Sequence, residues 1–178
     1  RELGIGAFLH DVGKIKVSAS ILNKSGKLTR QEFEEVKKHT IYGYQILNKY
    51  AEIPDSSAQI VYQHHERCDG SGYPQGVRGD NISEYSKIVA IVDIYNSMIN
   101  DRVYRSGIRV NEVLKYLFDL SAKNKLDQRL IKLFLEIVTP YPIGSIVKLN
   151  IGCQAVVTKI NEANKLRPIV TVKNLNGL

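Results

Sequence analysis

Residues 64–76 read HHERCDGSGYPQG, and the two halves of that stretch ask opposite things of the backbone. The histidine doublet closes a helical run that opens at Pro54 and Asp55 and turns Ile60 and Val61 inward. The glycines and the proline behind it, with more turn residues in VRGDNI, exceed what a helix tolerates, so the chain must turn repeatedly there. A helix ending in two adjacent imidazoles at the start of a tight loop is a place for ligands.

Upstream, residues 1–9, RELGIGAFL, are apolar and end at His10, which reads as a buried helix delivering His10 and Asp11 to a site. IKVSASILNKSGKL is rich in Ser, Lys and Gly without a lasting period and reads as an ordered loop. Thr29 and Glu32 have capping-box spacing and open a helix through about Tyr50, with Phe33, Val36, Ile41, Tyr44 and Leu47 near a 3.6-residue repeat and His39 inside it. Helical patterns resume at 84–100, 109–122 and 127–138. After the turn TPYP at 139–142, the runs SIVKLN, CQAVVTKI and PIVTVK alternate β-branched and polar residues. The expected fold is mainly α, a helical bundle over 1–139, with a small C-terminal antiparallel β-appendage over 140–178.

A chain of 178 residues, 43% hydrophobic and 24% charged, suits one ordinary domain or a domain with an appendage and excludes disorder as the main state. Its longest apolar runs, IVAIVDIY and LIKLFLEIV, fall short of the roughly 18–20 residues that a membrane span needs. Cys68 and Cys153 form no CxxC pair, so neither a disulfide scaffold nor a thiolate zinc site is expected, and the expected location is cytoplasmic. The net charge of +7 would attract a polyanion, but charge alone is weak support, and no nucleic acid polymer is implied. The start at Arg1, already helical in character, reads as a piece of a longer protein.

All four histidines fall at 10, 39, 64 and 65, two of them in the doublets His10-Asp11 and His64-His65. Adjacent helix residues point about 100° apart, so such a pair at a helix end can face two different metal ions. Asp93, inside the apolar run IVAIVDIY, is a further candidate, because an ionised carboxylate on a buried face needs a cation or hydrogen-bond partners. An ion pair with an arginine such as Arg102 is the alternative for Asp93. Imidazole and carboxylate donors without thiolate suit iron, manganese or another six-coordinate ion better than structural zinc.

HDVGK at 10–14, KHTIYGYQIL at 38–47, the 64–76 stretch and VDIYNSMINDRVYR at 92–105 resemble, in order and spacing, the HD-GYP family of metal-dependent phosphodiesterases. HDVGK alone indicates only the broad HD superfamily; HHE followed by DGSGYP narrows the match. YPIGSIVKLN and LRPIV resemble the small β-tail that often follows that domain. The resemblance implies hydrolysis of cyclic di-GMP to pGpG or onward to GMP by a hydroxide shared between two or more divalent ions, in bacterial signalling. It implies that His10, Asp11, His39, His64, His65 and Asp93 bind metal and that Lys14 reaches a substrate phosphate or the leaving oxygen. It further implies that Arg102 and Arg105 hold phosphates. Gly72, Tyr73 and Pro74 would govern substrate access or contact a diguanylate cyclase or adaptor domain, and an upstream sensory domain would complete the parent protein. Another HD-type nucleotide or cyclic dinucleotide phosphohydrolase is the first rival, and a non-catalytic nucleotide- or partner-binding module the second. Three positions depart from the family: Cys68 where Trp is usual, Asn96 where Asp is common, and no upstream His or Glu ligand before His10 apart from Glu2.

Overall fold

Two apolar clusters organise the helices, and the candidate ligands sit over the smaller one. A computed structural model describes residues 1–100, 108–162, 165 and 167–172. Helix α1 (Glu2–Leu9) runs into a 3-10 turn at Val12–Lys16 and a short α2 (Ala19–Leu22), followed by α3 (Arg30–Lys37), α4 (His39–Leu47) and α5 (Asp55–Gln63). A loop with a 3-10 turn at Gly79–Asn81 leads to α6 (Glu84–Ile99), α7 (Val110–Ala122) and α8 (Gln128–Ile137). Strands β1 (Ile146–Lys148), β2 (Gln154–Lys159) and β3 (Ile169–Val172) then form an antiparallel sheet in that order. The architecture is mainly α with a small C-terminal sheet.

The larger cluster joins Ile91 of α6, Val113, Leu114 and Leu117 of α7, Leu126, and Leu130 and Ile131 of α8. Positions 113, 114 and 117 form the stripe of a 3.6-residue repeat, and burying each such side chain contributes about 1.5–3 kcal/mol. The Ser83 hydroxyl caps α6 by accepting from the Ser86 amide, and the Asp127 carboxylate caps α8 by accepting from the Arg129 and Leu130 amides. The smaller cluster, Leu47, Ala58 and Val61, packs with Leu9, Val12, Tyr44, Ile46 and Ile53. On β2 the alternation buries Ala155 and Val157, with a register shift between Val157 and Lys159.

Three local expectations are corrected. Helix α1 is not a buried helix: Gly6 is its buried residue, and Phe8 is 89% exposed because only one face meets α5. The helix from Thr29 to Tyr50 is broken at Lys38, so His39 begins α4 instead of lying mid-helix. The Thr29–Glu32 capping box is present at its start. The segment read as loop contains α2, one turn closed by Ile21 and Leu22 amides on the Ser18 carbonyl, too short for its periodicity to register.

Candidate metal centre

Three of the four histidines stand where a helix runs out. His10 is the C-terminal cap of α1, His64 that of α5, and His39 follows the Lys38 cap of α3. Each turns its Nδ1 back to the carbonyl three residues earlier: His10 to Ala7 at 2.7 Å, His39 to Val36 at 2.7 Å and His64 to Val61 at 3.0 Å. Those carbonyls belong to last turns, where helical partners run out. Because a carbonyl oxygen only accepts, each Nδ1 carries the proton, which leaves Nε2 of His39 and His64 to present a lone pair, while His10 Nε2 faces the Asp11 carboxylate.

The lone pairs converge. Asp11, His39, His64 and His65 each offer a ligand atom, all within 4.8 Å of one another. His39 Nε2 lies 3.4 Å from His64 Nε2 and 3.4 Å from Asp11 Oδ1. Two acceptor nitrogens facing each other at that range need a cation between them. Burial, then the neighbouring His39 and His10, pushes His64 down to about 3, so a proton is a poor candidate for that cation. Burial likewise lowers His39 and, together with His64 and His39, lowers His65. Imidazoles kept neutral beside a carboxylate fit a divalent metal ion.

Asp11 connects this group to a second. Its Oδ2 lies 3.3 Å from His10 Nε2, which is 3.8 Å from Asp93 Oδ1 on α6. Lys14 Nζ donates to the same Oδ2 at 2.5 Å. Burial raises the Asp11 carboxyl, but hydrogen bonds from His10 and Lys14 outweigh it and hold the group far below the usual carboxylate range. The Asp11 bond in turn raises His10 against the effect of burial.

The loop after the doublet is fastened to it. Glu66, 2% exposed, accepts at Oε1 from the Gln75 amide at 2.7 Å and the Gly76 amide at 3.1 Å. Its Oε2 is buried without a partner among the described residues. A Cβ on Gly72 would lie 2.4 Å from Glu66 Cα and 2.5 Å from the Arg67 nitrogen, so only glycine lets the loop lie against this backbone. The Tyr73–Pro74 bond is cis, and the Tyr73 ring stacks on His65 at 4.6 Å between centroids. Sequence reasoning assigned no role to Glu66 or Arg67. The signal for Glu66 was a carboxylate directly before a Gly-rich loop whose amides lack strand or helix partners. Arg67 donates to the Glu66 carbonyl at 2.8 Å and the His64 carbonyl at 3.4 Å, and its guanidinium is lowered by burial.

Residues 1–130 match the HD domain family. The chain belongs to the HD domain family. Its HHE and GYP segments put it in the HD-GYP branch. It is 34% identical over 97% of its length to a Pseudomonas aeruginosa protein named cyclic di-GMP phosphodiesterase PA4108, covering 41% of that protein. It is 32% identical over 99% of its length to cyclic di-GMP phosphodiesterase PdeB of Borreliella burgdorferi, covering 46%. With 3'3'-cGAMP-specific phosphodiesterase 3 of Vibrio cholerae it shares 41% identity over 61% of its length, covering 23%. The chain thus spans less than half the length of these curated relatives.

Of the residues expected to hold metal in this HD-GYP domain, Asp11, His39, His64 and His65 form one group, and His10 and Asp93 adjoin it through Asp11. Arg102 and Arg105 lie outside the described residues, as does any pairing of Asp93 with Arg102. The Asn96 side-chain oxygen Oδ1 accepts from the Asn100 side chain at 2.7 Å, so it is engaged along α6. Glu2, at the far end of α1 and about 12 Å along the axis from His10 by helical rise, accepts from the Ser56 hydroxyl at 2.6 Å. Cys68 is half-buried, with its thiol pushed up by burial and its amide on the Lys125 carbonyl. Among the described residues no helix is long and apolar enough to cross a membrane.

Proposed function

We propose that this chain is the catalytic unit of a cytoplasmic, metal-dependent phosphodiesterase that hydrolyses cyclic di-GMP to pGpG or onward to GMP. One observation carries the reading: the His39 and His64 Nε2 lone pairs face each other at 3.4 Å beside a carboxylate whose two oxygens face different imidazoles. The names of the relatives from Pseudomonas aeruginosa and Borreliella burgdorferi supply the substrate.

Asp11 would divide the donors between two ions. His39, His64, His65 and Asp11 Oδ1 would hold one, and His10, Asp93 and Asp11 Oδ2 the other, with iron or manganese favoured by nitrogen and oxygen donors without sulfur. Bound there, the metal supplies Lewis-acid charge to a phosphate and acidifies a water. The buried imidazoles keep their Nε2 atoms unprotonated near neutral pH. Lys14, held on Asp11 and 41% exposed, can turn its ammonium to a phosphate or leaving oxygen, while Arg102 and Arg105 would hold the second phosphate. Residues 1–139 carry this chemistry and 140–178 form an appendage; an upstream sensory domain would supply the input.

A second reading, cleavage of a hybrid cyclic dinucleotide, is favoured by the Vibrio cholerae relative named as cGAMP-specific. The test is to strip the chain of metal, reload it with Mn(II) or Fe(II), and separate the products formed from cyclic di-GMP and 3'3'-cGAMP. Faster cleavage of cyclic di-GMP, abolished in His39→Gln, is the expected result. Faster cleavage of cGAMP favours the second reading. Binding of either dinucleotide without turnover would leave a non-catalytic module.

A further inference from the structure

Three of the four imidazoles are oriented by a backbone carbonyl, and His65 is the exception. His10, His39 and His64 each fix their ring through Nδ1. The His65 ring has no hydrogen-bond partner among the described residues, yet it joins the group of converging ligand atoms. What lies against it is Tyr73, with centroids 4.6 Å apart and planes 25° from parallel. Among the described residues no other aromatic contact of His65 is parallel: His39 meets it edge-on at 84° and His64 is tilted at 43°.

Tyr73 is itself held at several points. Its amide donates to the carbonyl of His65 at 3.3 Å. Two and three residues on, the Gln75 and Gly76 amides are tied to buried Glu66. One residue back, Gly72 brings the loop backbone against Glu66 and Arg67. Lys37 Nζ stands 5.5 Å from the Tyr73 ring centroid. The backbone that carries the ring is thus fastened to the segment that carries His65, and the ring itself is held between His65 and Lys37.

We propose that Tyr73 is a positioning residue: its ring is a fixed platform that orients the His65 imidazole for metal, replacing the carbonyl that orients the other three. Glu66 and Gly72 set the platform, which makes HHE and GYP one device. The proposal rests on the metal reading of the centre. It differs from a role for Tyr73 in substrate access or partner contact, because its effect runs through a ligand.

The test compares Tyr73→Leu, Tyr73→Met and Tyr73→Phe by competition of a chelator for Mn(II) and by the visible absorption of the Co(II) form. Loss of an orienting partner costs about 10–100-fold in metal affinity. Tyr73→Leu and Tyr73→Met are expected to lose that much and to alter the Co(II) spectrum, while Tyr73→Phe keeps both. In a His65→Gln background, Tyr73→Leu should change affinity no further, since the residue through which it acts is gone. Urea midpoints of the metal-free proteins identify variants that are folded, and Tyr73→Met serves if Tyr73→Leu is not. Unchanged affinity in both non-aromatic variants, or an equal loss in the His65→Gln background, overturns the proposal alone. A wild-type chain that binds no divalent metal overturns the metal reading as well.

Discussion

A Cβ on Gly13 would lie 1.9 Å from the carbonyl oxygen of His39 and 2.5 Å from the Gly43 nitrogen. The turn carrying Asp11 therefore lies directly on the first turn of α4, and the distance between Asp11 and His39 is set by backbone contact with no side chain between. Since both obstacles are main chain, neither can rotate away. Gly13→Ala should cost about 1–3 kcal/mol of stability and reduce metal affinity at least about tenfold as the ligands part. Denaturant midpoints and metal titration on the same protein would check this; normal affinity with normal stability would show that the contact is soft.

His39→Gln removes a lone pair from the middle of the group. Its effect on metal affinity should exceed the roughly 10–100-fold typical of an outer partner. Elemental analysis after gel filtration reads the outcome, and stoichiometric metal retained by the variant would exclude His39 as a ligand.

The metal-free protein should lose stability on mild acidification. His39, His64 and His65 titrate near 6.5 when unfolded and lower in the fold, His64 at about 3. Between those values the unfolded chain holds protons that the native one refuses, so stability falls as pH drops below about 6.5. His10 opposes this, since the Asp11 bond raises it and it adds stability as pH falls. With three groups against one, the melting temperature at pH 5.5 should be lower than at pH 7.5. An equal or higher value would mean that the buried imidazoles are already charged or solvated.

Glu66→Ala should free the loop and, through Tyr73, loosen His65 while leaving His10, His39 and His64 in place. Two part-buried amide bonds, those of Gln75 and Gly76, are lost, at about 1.5–3 kcal/mol for each bond to the charged acceptor at most. Amide hydrogen exchange should accelerate at 75 and 76 and stay slow in α7. Uniform acceleration across both segments would make Glu66 a general core residue.

Arg102→Ala is expected to spare metal content and weaken cyclic dinucleotide binding, since it supplies no ligand in the proposed centre, while Lys14→Gln, which removes a hydrogen bond to Asp11, should weaken both. Isothermal titration with a non-hydrolysable dinucleotide would check this. Loss of metal from Arg102→Ala with dinucleotide affinity intact would assign that arginine to Asp93 instead.

The sequence by itself determined the local facts: where helices stop, where the chain must turn, and which residue types can ligate metal. The HHE and GYP segments could be read because a histidine doublet and a run of glycines impose opposite demands on neighbouring backbone. The capping box at Thr29 and the alternation in β2 were legible for the same reason, since both depend on residues close in the chain. The break at Lys38 was not, because Phe33 to Leu47 keeps a helical period across it, and the turn is closed partly by the His39 ring on the Val36 carbonyl. The exposure of α1 was hidden too: an apolar sequence does not say which face finds a neighbour. Only the tertiary structure decided that Asp11 faces His10 with one oxygen and the His39 group with the other, and that Tyr73 lies on His65. Those relations depend on the close approach of separate elements at Gly13 and Gly72, where contact distance, and not local preference, fixes the geometry.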